Sequence, residues 1–408
     1  MLLVGDIHIN SKYKDLILTS LRKHLLNSDE ENIVFLWDYM YQFVYDKKSL
    51  NDLFNFFLEL FSLWKKIYIL AWNHDWINQT FVFEEVANFV KVIDSFKWFK
   101  IFLQPQIEEI EWKKILFLPY NIYLDWEDLF KEFNLDFDKV SIYDSLIKST
   151  HKNERYSWYL NKFLEQLLEK VEVDYIFHHF YFSDEEFVWQ KGRFKYKDVA
   201  IDGKRFLKSW SRIKFISGHL HQSFWRKNYF CVWSVWATSS LEENQHKFIF
   251  KFKNETVKPI LLDTNFYLKL EYKNWLKINE KLLKSYFTEL LKGNLENLRK
   301  GDFVVEDINI NVDKFDIKKW TLIVESQDLS YDDLKLVVES DLFKVLNQIR
   351  LKRKPLRHQQ IVRLFVESEE KLKESFKSWK ELLLEYLRQK YWNDSEKYID
   401  KLRELQIL

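Results

Sequence analysis

The chain of 408 residues is long enough for two or three domains, and its 47% hydrophobic and 31% charged residues are typical of a globular protein. No apolar run approaches membrane-spanning length, and a net charge of +1 means that any nucleic-acid contact must come from local basic patches. The one cysteine, Cys231, excludes an intrachain disulfide framework, and the N-terminus lacks the features of an export signal. We therefore expect a cytoplasmic protein with no membrane segment.

Residues 1–255 alternate between short apolar runs and amphipathic stretches, which predicts an α/β layered domain. Strands are predicted at Leu2–Val4, Ile33–Leu36, Ile67–Ala71, Ile115–Pro119, Tyr175–Phe177, Lys214–Ser217, Phe230–Val232 and Lys247–Phe252. Amphipathic helices are predicted between several of these strands, for example over Asn51–Leu63 and Tyr156–Val171. Polar loops at the ends of such strands are where ligands usually bind.

The pattern changes after about residue 256, which predicts two further domains. Residues 256–348 read as a smaller α/β capping or DNA-contacting domain, with helices over Asn279–Leu291 and around Tyr331–Leu346 and strands in GDFVVEDININV and TLIVES. Residues 349–408 read as a basic stretch followed by an amphipathic helical tail. The apolar stripe of that tail indicates that it packs against a partner helix.

Polar clusters follow five of the strand candidates of the first domain. They are GDIH (Gly5–His8), WDYM (Trp37–Met40), WNHD (Trp72–Asp75), HH (His178 and His179) and GHLH (Gly218–His221). Aspartate, histidine and asparagine suit Mn²⁺, iron or Zn²⁺, and clusters at the carboxyl ends of neighbouring strands converge on one pocket. One such cluster alone is a weak signal, and the histidine pair could also be a core histidine beside an exposed one. The ordered set indicates a metal site.

In this order, the clusters resemble the motifs of the calcineurin-like metallophosphoesterase superfamily: Asp-x-His, Gly-Asp, Gly-Asn-His-Asp/Glu, His and Gly-His-x-His. The resemblance implies a layered β-sandwich phosphoesterase core flanked by helices, with two divalent metal ions, Mn²⁺ in particular. It implies that one metal is held by Asp6, His8 and His221, that the other is held by Asn73, His178 and His219, and that Asp38 bridges them. His179 is the alternative to His178 if the strand register differs by one residue.

The resemblance also implies a catalytic pair beside the metals. His74 would act as the general acid to the leaving oxygen or stabilise the transition state, and Asp75 would orient its ring. The alternative is that His74 only hydrogen-bonds near the ligands.

Beyond residue 255 the layout is similar to that of the nuclease subunit of the SbcC–SbcD complex and its phage and repair relatives. That similarity implies an exonuclease or endonuclease acting on DNA in recombination or double-strand-break repair. It also implies a coiled-coil SMC-like ATPase as partner and leaves a homodimer open. The candidate DNA-contacting residues are Lys191, Arg193, Lys195, Arg350, Lys352, Arg353, Lys354 and Arg357. Both basic segments could instead be ordinary solvated faces, and the function could be that of a stand-alone phosphodiesterase or phosphatase acting on nucleotides or phosphoproteins.

Tryptophan and glycine usage is unusual, with 17 tryptophans and 6 glycines, whereas glycine usually makes up about 7% of a protein. Tryptophans stand at positions that suit glycine, namely a helix C′ position, a hairpin turn, two motif glycines of the family and a loop of small residues: Trp64, Trp112, Trp37, Trp72, Trp233 and Trp236. We hypothesise that the gene reassigns UGA to glycine and that many of these residues are glycine in the organism. The alternative is an aromatic-rich protein, in which genuine tryptophans at 37 and 72 would leave an inactive scaffold.

Overall fold

The computed structural model describes most of the first 308 residues and short pieces beyond them. The described residues are 1–36, 38–40, 46–71, 76–77, 80–81, 87, 97–121, 124–137, 152–183, 199–218, 224–232, 234–239, 242–253, 255–271, 279–299, 303–308, 315–326, 346, 348–353, 396 and 400. Within them, no helix combines the length and the apolar character that crossing a membrane requires.

The described elements form a mixed α/β protein, as the sequence predicts. The helices are α1 (Lys14–Leu25), α2 (Lys47–Ser62), α3 (Trp126–Glu132), α4 (Lys152–Lys170), α5 (Gly203–Ser209) and α6 (Glu280–Leu298), with a 3₁₀ turn at Ile317–Lys319. The strands are β1 (Leu2–Val4), β2 (Asn32–Leu36), β3 (Lys66–Leu70), β4 (Trp76–Ile77), β5 (Thr80–Phe81), β6 (Phe99–Phe102), β7 (Gln106–Ile110), β8 (Lys113–Leu118), β9 (Tyr175–His178), β10 (Tyr181–Ser183), β11 (Ala200–Asp202), β12 (Lys214–Ser217), β13 (Phe224–Arg226), β14 (Tyr229–Cys231), β15 (Phe248–Lys253), β16 (Thr256–Leu261), β17 (Phe266–Glu271), β18 (Val304–Val305), β19 (Trp320–Ser326) and β20 (Gln348–Arg353). The strands predicted before residue 255 are all confirmed, at nearly the same positions.

A seven-stranded sheet has the order β18-β16-β15-β1-β2-β3-β6. Its strands β1, β2, β3 and β6 are parallel, so their carboxyl ends lie at one edge. Because side chains alternate between the two faces of a strand, Val4, Phe35 and Ile69 share one face. That face packs with α1 and α2 in a single apolar core, to which Leu21 and Phe57 contribute. This core holds the first strands firmly and so fixes where their ends lie.

A six-stranded sheet has the order β13-β14-β12-β9-β8-β7, with β14, β12, β9 and β8 parallel. Aromatic side chains join it to the seven-stranded sheet. Phe117 of β8 stacks on Phe102 of β6 with ring centroids 4.0 Å apart, and Phe230 of β14 meets Phe250 of β15 edge-on at 4.9 Å. The two sheets therefore contact each other through apolar faces. Smaller sheets are formed by β17-β19-β20, β10-β11 and β4-β5.

The backbone confirms the glycine-like geometry predicted at two of the tryptophans. Trp64 has a φ of 62° at the C′ position after α2, where its N–H bonds to the carbonyl of Phe61 and that of Lys65 bonds to Leu60. This is a Schellman motif, whose C′ residue is usually glycine. Trp112, with a φ of 66°, follows Glu111, with a φ of 53°, in the two-residue loop between β7 and β8. Positive φ at both positions is the type I′ hairpin, which favours glycine second. Both indoles point into solvent, with Trp64 90% exposed and Trp112 91% exposed.

At position 236 the expectation that an indole does not fit is wrong. Trp236 is 1% exposed, its Nε1 donates to the carbonyl of Ile7 at 2.7 Å, and its ring lies 4.7 Å from that of Tyr13. Its side chain belongs to the apolar core that also contains Ile7 and Ile9, with Tyr13 packed against it. Trp37, Trp72 and Trp233 lie outside the described residues.

The chain divides into two compact units, one of Met1–Val324 with Leu334–Arg350 and the other of Glu325–Asp333 with Leu351–Leu408. The boundary expected after residue 255 falls inside the β15–β16 hairpin, in which Lys253 pairs with Thr256. The two strands of this hairpin are neighbours in the seven-stranded sheet. The helix expected at 331–346 and the helical tail lie almost wholly outside the described residues.

Candidate metal centre

The loops after β1 and β2 bring the first two polar clusters together. Asp6 and His8 follow β1, and Asp38 follows the adjacent parallel strand β2. The carbonyl oxygen of Asp38 accepts from the backbone N–H groups of Ile7, at 3.1 Å, and His8, at 2.6 Å. Backbone hydrogen bonds therefore hold the two loops together.

His8 and Asp38 both have a left-handed backbone, with φ of 47° and 43°. For a residue with a side chain this conformation costs about 1–2 kcal/mol, and it persists only where the surroundings hold it. Here the bonds to the Asp38 carbonyl and the buried neighbours hold it. Local backbone strain of this kind is often found at functional sites, and it occurs here at two predicted metal ligands.

Asp6, His8 and Asp38 place their ligand atoms within 4.8 Å of one another, and all three are buried. His8 Nε2 lies 3.5 Å from Asp38 Oδ2. A further histidine joins them, with His179 Nδ1 at 3.6 Å from Asp6 Oδ1 and its Nε2 at 3.4 Å from Asp38 Oδ2. These distances exceed those of ordinary N–H···O hydrogen bonds, about 2.7–3.2 Å, and leave room for ligand atoms that share a cation.

The orientation of His8 is set by a backbone contact. Its Nδ1 lies 3.1 Å from the carbonyl oxygen of Met40. A carbonyl oxygen can only accept, so Nδ1 must carry the proton in the neutral ring and Nε2 keeps its lone pair. Nε2 is the atom that faces Asp38. A histidine that donates one ring N–H to a carbonyl and presents the other nitrogen is the usual arrangement of a metal ligand.

Of the two adjacent histidines, the structure places His179, the alternative, at the carboxylates. His178 ends β9, and its ring lies among aromatic side chains, with centroids 5.8 Å from Phe182 and 6.2 Å from Tyr229. Consecutive side chains of a strand point to opposite faces, so only one of the two histidines can face the centre. The sequence pattern left the register open because it placed the strand end at Phe177, whereas β9 continues to His178.

The chemistry of the donor set fits a divalent metal. Asp6 and Asp38 are both buried, and two carboxylates held close together in a low-dielectric interior repel each other. A cation bound between them would turn that repulsion into attraction. Carboxylate oxygens together with imidazole nitrogens suit Mn²⁺, iron and Zn²⁺. The described residues thus provide four candidate ligands at one point.

The remaining predicted ligands and the catalytic pair lie outside the described residues, namely Asn73, His74, Asp75, His219 and His221. The strands that lead to them are described. Leu70 near the end of β3 pairs with Leu36 of β2, and Ser217 at the end of β12 pairs with His178 of β9. The chain therefore leaves β3 and β12 beside β2 and β9, which Asp38 and His179 follow. The placement of the remaining ligands and of the catalytic pair stays a prediction.

Most of the predicted DNA contacts also lie outside the described residues: Lys191, Arg193, Lys195, Lys354 and Arg357. Arg350, Lys352 and Arg353 lie on β20, which is last in the order β17-β19-β20. The signal for this strand was available in the sequence, since QIRLKR alternates apolar and polar residues.

Comparison of the sequence with protein-family models and with curated proteins gives no match. The resemblance to the metallophosphoesterases accordingly rests on the ordered motifs alone.

Proposed function

We propose that this chain is a metal-dependent phosphodiester hydrolase whose centre is built on Asp6, His8, Asp38 and His179. The observation that carries the proposal is the convergence of these four buried side chains from loops after β1, β2 and β9. The first two strands belong to the seven-stranded sheet and the third to the six-stranded sheet. The contact between two sheets, with helices on the outer face of one, agrees with the layered core that the motif resemblance implies.

Each ligand has a separate part in this proposal. The carboxylate of Asp38 contacts both histidines, and in this proposal it would bridge two cations. Asp6 and His8 belong to the first of these cations, with His221. His179 takes the place proposed for His178 in the second, with Asn73 and His219. The backbone bonds from Ile7 and His8 to the carbonyl of Asp38 hold the two ligand loops together.

Two bound divalent ions would supply an activated water and would neutralise the phosphoryl oxygens. The protein contributes the positions of the ligands and a buried setting, in which charges interact more strongly than in water. We propose that His74 holds the proton that the leaving oxygen needs and that Asp75 orients its ring. Both residues directly follow the predicted ligand Asn73 in the sequence.

The substrate that we propose is DNA, with the chain acting as the nuclease subunit beside a coiled-coil SMC-like ATPase. Support comes from the layout of the chain and from β20, where arginine and lysine recur along a terminal strand of its sheet. Such residues bind phosphates without regard to sequence. The competing activity is hydrolysis of phosphomonoesters. An assay that compares a monoester with a diester substrate distinguishes the two activities.

The test is hydrolysis of bis-p-nitrophenyl phosphate, of p-nitrophenyl phosphate and of a DNA oligonucleotide, each with Mn²⁺ and with EDTA. We expect cleavage of the diesters only with Mn²⁺, and loss of most activity in Asp38→Asn. Asp263→Asn is the matched control, since Asp263 belongs to a separate ion pair with Lys319. The assay is run on chains with tryptophan and with glycine at positions 37 and 72. Lack of diester cleavage in both chains, or full activity of Asp38→Asn, contradicts the proposal.

A further inference from the structure

A buried ion pair lies behind the segment that contacts the first ligand loop. Glu242 and Lys247 form a salt bridge in which the side chains are 6% and 1% exposed, respectively. Ion pairs so deeply buried are uncommon, because removing two charges from water is costly and the pairing often only offsets that cost. The contacts of the two side chains indicate a role other than net stabilisation of the fold.

Both charged side chains hold the ends of one short segment, residues 234–238. At its start, Lys247 Nζ donates to Ser234 Oγ at 2.9 Å, and that hydroxyl donates to Glu242 Oε2 at 3.1 Å. At its end, the N–H of Thr238 donates to Glu242 Oε1 at 3.0 Å, and the Thr238 hydroxyl bonds to the same oxygen. One carboxylate thus fixes the two ends of the segment at once.

The middle of the segment is hydrogen-bonded to the loop that carries Asp6 and His8. The N–H of Val235 donates to the carbonyl of Asp6 at 2.9 Å, and Trp236 Nε1 donates to the carbonyl of Ile7 at 2.7 Å. On the other side, the Asn265 side chain bonds to both the N–H and the carbonyl of Ala237, at 3.1 and 2.7 Å. Hydrogen bonds and the short segment 234–238 thus connect the ion pair to the backbone of Asp6, a proposed metal ligand.

We propose that the Glu242–Lys247 pair positions Asp6 and His8 for metal binding by holding residues 234–238 against them. This inference rests on the proposed metal centre. Both charged residues act through the backbone of Asp6 and Ile7 and are therefore positioning residues. Residues that orient metal ligands in this way typically change metal affinity by roughly 10–100-fold when removed.

The test uses the full chain and replaces both charges together, so that no single buried charge is left behind. In Glu242→Leu with Lys247→Met, apolar groups of similar size keep the packing but cannot bond to Ser234 and Thr238. We expect this protein to remain folded by circular dichroism and to bind Mn²⁺ about 10-fold or more weakly than the wild type. In Glu242→Gln with Lys247→Met, the amide oxygen can still accept from the N–H of Thr238, and the amide nitrogen can donate to the Ser234 hydroxyl. We expect Mn²⁺ affinity in this neutral pair to return close to the wild-type value.

Wild-type affinity in the folded apolar pair overturns the inference, and so does an amide pair that binds Mn²⁺ no better than the apolar pair. If the apolar pair does not fold, Thr238→Val in the wild-type background removes one hydroxyl and keeps the ion pair. It should weaken Mn²⁺ binding in the same direction, and unchanged affinity there also overturns the inference. Failure of the wild-type chain to bind Mn²⁺ would be a different result, since it contradicts the proposed function itself.

Discussion

His179 Nε2 lies 3.4 Å from Asp38 Oδ2, although the two residues follow strands of different sheets. This contact closes the centre, because Asp38 is also 3.5 Å from His8, which follows the neighbouring strand β1. The side chain of His178, one position earlier, lies instead among the aromatic rings of Phe182 and Tyr229. The roles of the two adjacent histidines are therefore separable by experiment.

Removing the imidazole of His179 should weaken Mn²⁺ binding much more than removing that of His178. We expect His179→Gln to lower the affinity by about 10-fold or more, since a direct ligand is lost. His178→Gln is the matched control, and its affinity should stay close to that of the wild type in protein that remains folded. The measurement is a Mn²⁺ titration of each variant by isothermal calorimetry. The reverse order of effects would assign the ligand to His178 and contradict the placement of His179.

Glycine should stabilise the chain at the two exposed tryptophans with positive φ. We expect Trp64→Gly and Trp112→Gly each to raise the free energy of unfolding by about 0.5–1 kcal/mol, because relief of the left-handed strain exceeds the entropy that glycine adds to the unfolded chain. Trp98→Gly is the control, since the ring of Trp98 lies under Lys66 Nζ at 4.5 Å and the residue is 44% exposed, about half the value of the other two. That change should destabilise the protein. Urea unfolding measures all three, and destabilisation at both 64 and 112 would contradict the glycine-like geometry.

The same geometry bears on the recoding hypothesis. In protein from the original organism, peptides spanning positions 64 and 112 should carry the mass of glycine. The peptide spanning position 236 distinguishes general recoding from a mixed pattern, because Trp236 is enclosed and hydrogen-bonded. Tryptophan at both 64 and 112 in native peptides would refute the hypothesis. The two exposed indoles in strained turns would then need an explanation other than recoding.

His246 should make the protein less stable in mild acid. Burial lowers the pKa of its imidazole from 6.5 to about 3, and Asn294 Nδ2 lies 2.9 Å from its Nδ1. Between these pH values His246 is protonated in the unfolded chain and neutral in the folded chain. The free energy of unfolding therefore falls as the pH drops below about 6.5. At pH 5 the expected loss relative to pH 7.5 is about 2 kcal/mol from this residue. His246→Gln should lack that part of the pH dependence in urea unfolding, and an equal fall in both proteins would contradict the assignment.

The sequence predicted the strands well because short apolar runs bounded by polar clusters are read directly from residue type. It could not choose between His178 and His179, because that choice depends on one residue of strand register. It also missed the fit of Trp236, since a loop of small residues looks crowded until its neighbours in space are known. The change of pattern near residue 255 falls inside the β15–β16 hairpin, and local residue type does not show that the two strands pair there.

The most direct test of the metal centre is electron paramagnetic resonance of the intact chain titrated with Mn²⁺. If Asp38 bridges two ions as proposed, the chain should bind two Mn²⁺ and give a spin-coupled signal at saturation. In Asp38→Asn the coupled signal should disappear, while Asp263→Asn should retain it. Absence of bound Mn²⁺ in the wild-type chain, or a coupled signal that persists in Asp38→Asn, would contradict a metal centre built on Asp6, His8, Asp38 and His179.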